Sequence, residues 1–143
     1  MKEIMPETVE ILCVDDEVSI LKALRRTLLE EENYHINLAQ SGAEGLDILE
    51  SVDGISIVIS DYRMPGMNGV EFLRQVNERW PDTVCMVLSG CADTTVVVEA
   101  HNLGYIYKFI SKPWDNKELL IIISAALDHQ ILRRDSVGRT SAF

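Results

Sequence analysis

The chain is short of basic residues. Thirteen Lys and Arg stand against 23 Asp and Glu, a formal charge of −10 at pH 7. Gripping DNA or RNA phosphates needs a basic face, so direct nucleic-acid binding is excluded as the expected role. The same charge disfavours an anionic membrane surface. Long apolar runs are also missing. The longest, Leu119–Leu127, contains Ser124 and is too short to span a bilayer. The opening Met1-Lys-Glu-Ile-Met-Pro-Glu has no apolar core of signal-peptide length. Cysteine is scarce. Cys13, Cys85 and Cys91 lack metal-type spacing, their number is odd, and two sit inside apolar runs. That usage points to reduced thiols in a cytoplasmic protein. No internal repeat or low-complexity segment is present.

What the chain has is 143 residues at 47% apolar content, enough for one domain with a proper core. Its most informative stretch is Ile55-Ser-Ile-Val-Ile-Ser-Asp61-Tyr-Arg-Met-Pro-Gly-Met-Asn-Gly69. A β-branched apolar run ends in one carboxylate and then a Pro/Gly/Asn loop. Such a run reads as a strand buried on both faces, as in parallel sheets. Ligands bind those sheets beyond the carboxyl ends of the strands.

The remaining elements fall around it. Residues 1–8 read as a disordered lead-in, and 9–132 as the folded domain. Val9–Val14 is a strand ending in Asp15-Asp16-Glu17. A helix over Val18 to Glu32 carries Leu21, Leu24 and Leu28 inward, with Asn33 as its stop. Tyr34–Ala39 is a strand near a sheet edge. Ser41 and Glu44 form a capping-box pattern opening a helix with Ala43, Leu46 and Leu49 inward. After Asp61 comes a helix from Val70 to Arg79 burying Leu73 and Val76. Thr83–Leu88 is a strand ending in Ser89-Gly90. A helix over Asp93–Asn102 closes on Gly104 as a left-handed cap. Ile106–Ile110 is a strand ending in Ser111-Lys112-Pro113. The last helix runs from Asn116 to Arg133, and 133–143 is a polar linker or tail.

Five strands alternating with five helices demand an α/β fold with a parallel sheet and right-handed crossovers. The polar strand ends then share one edge. Three carboxylates, the Ser89 hydroxyl and the Lys112 ammonium converge there. Close carboxylates repel, and a hard divalent cation relieves them. Asp15, Asp16 and Asp61 therefore read as an Mg²⁺ (or Mn²⁺) site with one carboxylate oxygen left as a nucleophile. An aspartate can attack a phosphoryl group to give an acyl phosphate. Lys112 supplies a point cation and Ser89 a donor for the phosphoryl oxygens, the positioning and neutralisation that phosphoryl transfer needs.

In order, Asp15-Asp16, Asp61 to Gly69, Ser89-Gly90 and Lys112-Pro113-Trp114 resemble the receiver domain of two-component response regulators, a CheY-like fold, over about Val9–His129. The resemblance implies a flavodoxin-like doubly wound sheet of order 2-1-3-4-5. It implies that Asp61 takes a phosphoryl group from a phosphohistidine on a histidine kinase or phosphotransfer protein. The metal would be held by Asp15, Asp16, Asp61 and the Arg63 backbone carbonyl. A cis peptide before Pro113 is implied too. Ser89 would move onto the phosphoryl group and Phe109 rotate inward behind it. Phe109 replaces the commoner tyrosine, so no hydroxyl can hold the outward state. Arg63 and Cys91 occupy positions that tune acyl-phosphate lifetime in relatives, and the expectation is a long-lived species. A homodimer through the fourth helix, fifth strand and last helix is implied. So is a covalent output domain beyond the linker, often one handling a cyclic dinucleotide, although a stand-alone receiver fits as well.

Other readings stand beside this one. A haloacid-dehalogenase-type phosphohydrolase would need an acid at position 63. A flavin or dinucleotide module would need a Gly-rich phosphate loop where Asp15-Asp16-Glu17 stands. A degenerate, phosphorylation-independent interaction domain would lack part of the site. Trp114 either anchors a partner or packs over the last helix. Cys91 is either a redox-sensitive thiol or a filler at the pocket rim. His35, His101 and His129 read as surface residues. Asp93-Thr-Thr-Val-Val-Val98 is crowded with β-branched residues, so its helix is expected to be marginal and to shift or order on phosphorylation.

Overall fold

The structure, a computed structural model, describes residues 8–90 and 94–141; for Thr94 and residues 132–141 it describes the backbone. The elements are β1 (Val9–Val14), α1 (Val18–Leu28), β2 (Tyr34–Ala39), α2 (Gly42–Ser51), β3 (Ile55–Asp61), α3 (Gly69–Arg79), β4 (Val84–Ser89), α4 (Thr94–Asn102), β5 (Lys108–Ser111) and α5 (Asn116–Ser141). All strand pairs are parallel, in the order β2-β1-β3-β4-β5. This is the flavodoxin-like order that the resemblance implies. β2 lies at an edge, as its weak alternation suggests.

Side-chain alternation along each strand splits the core into two layers. Ile11, Ile57, Ile59, Met86 and Leu88 face α1 and α5, meeting Leu24, Leu119 and Ile123. Leu12, Val14, Val58 and Val87 face the other side, meeting Leu49, Phe72, Val76 and Val97. Burial on both faces explains why the central strands read as unbroken apolar runs. Among the described residues, no helix is long and apolar enough to cross a membrane.

Several boundaries differ from the sequence reading. α1 ends at Leu28, well before Asn33. Glu30-Glu31-Glu32 would place three negative charges at the negative end of the helix dipole. The chain instead leaves through tight turns, Glu30 N–H to Thr27 O (3.3 Å) and Glu31 N–H to Leu28 O (3.2 Å). In α2, Ala43 is exposed, while Gly42 and Gly45 face inward. α2 lies so close to Phe72 that a Cβ on Gly45 would stand 2.8 Å from Phe72 Cζ. β5 starts at Lys108 rather than Ile106, although Ile106 is buried. α5 runs to Ser141, beyond the expected Arg133, because no proline interrupts it. The expected start of α4 at Asp93 lies outside the described residues.

Candidate functional site

Four connections deliver the site. Asp15 follows β1, and its Oδ1 accepts the Glu17 N–H at 2.9 Å, an Asx-type turn that orients the carboxylate. Asp61 is the last residue of β3, level with Leu88 of β4. Ser89 lies one residue beyond Leu88 and is buried. Lys112 follows β5, and its N–H donates to the Ser89 carbonyl at 3.0 Å, tying two strand ends together. The Lys112–Pro113 peptide is cis.

The β3–α3 loop is pinned just beyond Asp61 and again at the start of α3. Gly69 N–H donates to Tyr62 O at 2.8 Å. Asn68 caps α3 in a full capping box with Glu71. Asn followed three residues later by Glu was a legible signal for this start, one residue earlier than Val70.

These elements bring the acids and the lysine together. Lys112 Nζ lies 2.7 Å from Asp61 Oδ1 and 3.5 Å from Asp15 Oδ2. One oxygen from each of Asp15, Asp16 and Asp61 lies within 4.8 Å of the others. Asp15 is fully buried, Asp61 nearly so, and Asp16 exposed. Burial pushes the Asp15 carboxyl up to about 6; the nearby Asp61 and Asp16 charges add to this, against the Glu17 N–H bond and Lys112. Burial works against the Lys112 ammonium, but its bond to Asp61 and the charges of Asp15 and Asp61 outweigh it and raise its pKa.

Asp15 Oδ2 is buried with no hydrogen-bond partner among the described residues. Its close cation, Lys112, stands at 3.5 Å, a long ion pair, and a buried carboxylate oxygen without a full hydrogen bond is costly. The all-oxygen, multiply anionic set around it suits a hard divalent cation such as Mg²⁺.

The other expected residues are placed less centrally. Phe109 sits on β5 level with Val87 and is 37% exposed. Arg63 is an exposed loop residue. Cys91 lies outside the described residues. Trp114 packs against the core layer of α1 and α5, with Nε1–H donating to Asn116 Oδ1 at 3.1 Å. The same oxygen accepts from buried Thr27 Oγ1 at 2.9 Å. This bridge from α1 to the start of α5, and through Trp114 to the loop carrying Lys112, was invisible in the sequence, since its ends are far apart in the chain. Of the histidines, His35 is exposed and pairs with Glu10 at 2.7 Å. His129 is half-buried, its ring tilted against Tyr107.

A parallel sheet that gathers three carboxylates and a lysine at its carboxyl edge defines a flavodoxin-like protein with an acidic pocket. The chain belongs to the response regulator receiver domain family, whose family model matches residues 11–124. It is 39% identical over 125 residues to the hydrogenase transcriptional regulatory protein HoxA of Cupriavidus necator, covering 87% of this chain and 25% of that one. It is 31% identical to the transcriptional regulatory protein FixJ of Azorhizobium caulinodans, covering 86% of this chain and 57% of that one. Among solved structures, the signal receiver domain of an HD domain-containing protein from Pseudomonas fluorescens Pf-5 superposes with a TM-score of 0.84 at 33% identity, covering 94% of this chain and 97% of that one. The chain spans about a quarter of the length of HoxA and of the dicarboxylate-transport regulator DctD of Pseudomonas aeruginosa.

Proposed function

We propose that this chain is a phosphorylation-dependent switch in which Asp61 accepts a phosphoryl group from the phosphohistidine of a histidine kinase or phosphotransfer protein. The observation that carries the reading is Lys112 Nζ at 2.7 Å from Asp61 Oδ1, inside a pocket that also holds Asp15 and Asp16.

Lys112 holds Oδ1, which leaves Oδ2 as the nucleophile. It attacks phosphorus; the P–N bond breaks, its electron pair returns to the imidazole, and an acyl phosphate forms. Lys112 then balances the phosphoryl charge, and Ser89 donates to a phosphoryl oxygen. Asp15, Asp16, Asp61 and the Arg63 carbonyl would hold Mg²⁺ (or Mn²⁺), which neutralises the clustered negative charge. Ser89 and Phe109 form the relay toward α4, β5 and α5. Arg63 and Cys91 tune the lifetime of the acyl phosphate.

Phosphoramidate tests the transfer, because its P–N bond mimics that of phosphohistidine. It should load one phosphoryl group in Mg²⁺ and none onto Asp61→Asn. Loading that persists in Asp61→Asn would assign the acceptor elsewhere.

The relay face is also the proposed surface for a second copy. Leu103 (62% exposed) and Ile121 (68% exposed) lie on α4's end and α5. Sedimentation of the phosphorylated chain should show a dimer that Ile121→Glu abolishes; a monomer in both forms would reject it. The full-length protein is proposed to carry an output domain, as the length of HoxA suggests.

A further inference from the structure

α4 ends in a tightly specified turn. Gly104 takes φ +87°, which favours glycine. Gly104 N–H donates to His101 O at 3.0 Å and Tyr105 N–H to Ala100 O at 3.1 Å, the paired bonds of a Schellman motif. His101 extends this closure through its side chain. Its Nδ1 lies 2.8 Å from the Ile106 carbonyl oxygen. A carbonyl only accepts, so Nδ1 carries the proton and donates. The bond holds the imidazole over the run-in to β5.

The ring so held meets Phe109. The two centroids are 6.3 Å apart and the planes cross at 79°. That edge-to-face arrangement is the one aromatic quadrupoles favour. Phe109 has no hydroxyl with which to anchor an outward ring, and 37% of it faces solvent. Among the described residues, its aromatic partner is His101. The contact joins the last turn of α4 to the middle of β5, the two elements the proposed relay must couple.

We infer that His101 is a positioning residue that holds Phe109 in its outward rotamer, in place of the hydroxyl this aromatic lacks, and so sets how readily the relay fires. The inference rests on the phosphorylation-dependent relay proposed above.

Three-bond couplings to Cγ report χ1 of Phe109 and are blind to the ring current of His101. The chain has three phenylalanines, so selective labelling leaves few signals. Phe72 is fully buried and serves as the folding control. In the free protein, Phe109 should show one χ1 value. His101→Ala should give averaged couplings, with the inward-to-outward ratio raised roughly fivefold, as expected from losing one edge-to-face pair. His101→Asn keeps a donor for Ile106 O but no ring and should behave like His101→Ala. His101→Phe keeps a ring and should retain the single value.

Unchanged couplings in His101→Ala, with Phe72 native, would overturn the assignment. So would averaging in His101→Phe equal to that of His101→Ala. A separate arm adds Mg²⁺ and beryllofluoride to the unsubstituted chain. Phe109 should then turn inward. If it does not, the relay reading fails, while the free-state comparison still decides whether His101 holds the ring.

Discussion

Lys112 Nζ contacts two carboxylates at once, Asp61 Oδ1 at 2.7 Å and Asp15 Oδ2 at 3.5 Å. One ammonium thus faces two of the three clustered acids, Asp15 and Asp61. Lys112→Met should slow phosphoryl uptake from acetyl phosphate about 10²-fold, the scale of losing one charge-stabilising group. The same variant should bind Mg²⁺ more tightly, since a competing cation is gone. An unchanged uptake rate would remove Lys112 from the chemistry.

The raised Asp15 carboxyl makes a statement about stability. Its pKa is about 6 folded against 3.8 as a free side chain. Between these values the folded state binds more protons than the unfolded one, so stability falls as pH rises. The contribution is fully present below about pH 4 and is lost as pH rises through about 6; two pKa steps correspond to at most about 3 kcal/mol. Urea unfolding in chelator should therefore find a weaker domain at pH 7.5 than at pH 5. Asp15→Asn should flatten that difference. A metal-free domain more stable at pH 7.5, with Asp15→Asn following it, would contradict the assignment.

Gly69 is held against the backbone of Asp61 and Tyr62. A Cβ there would collide with the Asp61 carbonyl oxygen and stand 2.9 Å from Tyr62 Cα. Neither is a side chain that could swing away. Gly69→Ala should cost about 2 kcal/mol, as overpacking against a rigid neighbour does, and should slow loading of Asp61 as well. Urea unfolding measures the first effect and acetyl phosphate kinetics the second. Full stability in the variant would mean the loop gives freely.

α4 should be the least protected helix in hydrogen exchange. Thr94, Thr95, Val96, Val97 and Val98 are mediocre helix formers, and of its described side chains only Val97 and Ala100 are buried. Amide exchange in α4 should outpace that in α1, α2 and α3, and should slow when beryllofluoride binds. Equal protection across the helices would reject the marginal-helix reading.

The parts of this molecule governed by local pattern were readable from its sequence. Apolar runs that end in acid, serine or lysine placed Asp15, Asp61, Ser89 and Lys112 at strand ends, and parallel pairing then brought those ends to one edge. Leu21, Leu24 and Leu28 showed their spacing, and Gly104 its left-handed cap. Close approach was not readable. Ala43 scores as apolar, yet Gly45 faces Phe72 because only hydrogen fits there. The Thr27–Asn116 bridge and the His101–Phe109 contact depend on tertiary placement, and no spacing rule announces either. His101 read as a surface residue; it is exposed, but its ring bonds to Ile106 O and packs against Phe109.

Intact mass after incubation with Mg²⁺ and acetyl phosphate tests the central claim most directly. The chain should gain one phosphoryl group, and neither Asp61→Asn nor a chelator-treated sample should gain any. A gain that survives in Asp61→Asn, or no gain together with no binding of Mg²⁺ and beryllofluoride, would contradict a phosphoacceptor role for Asp61 and leave only the fold.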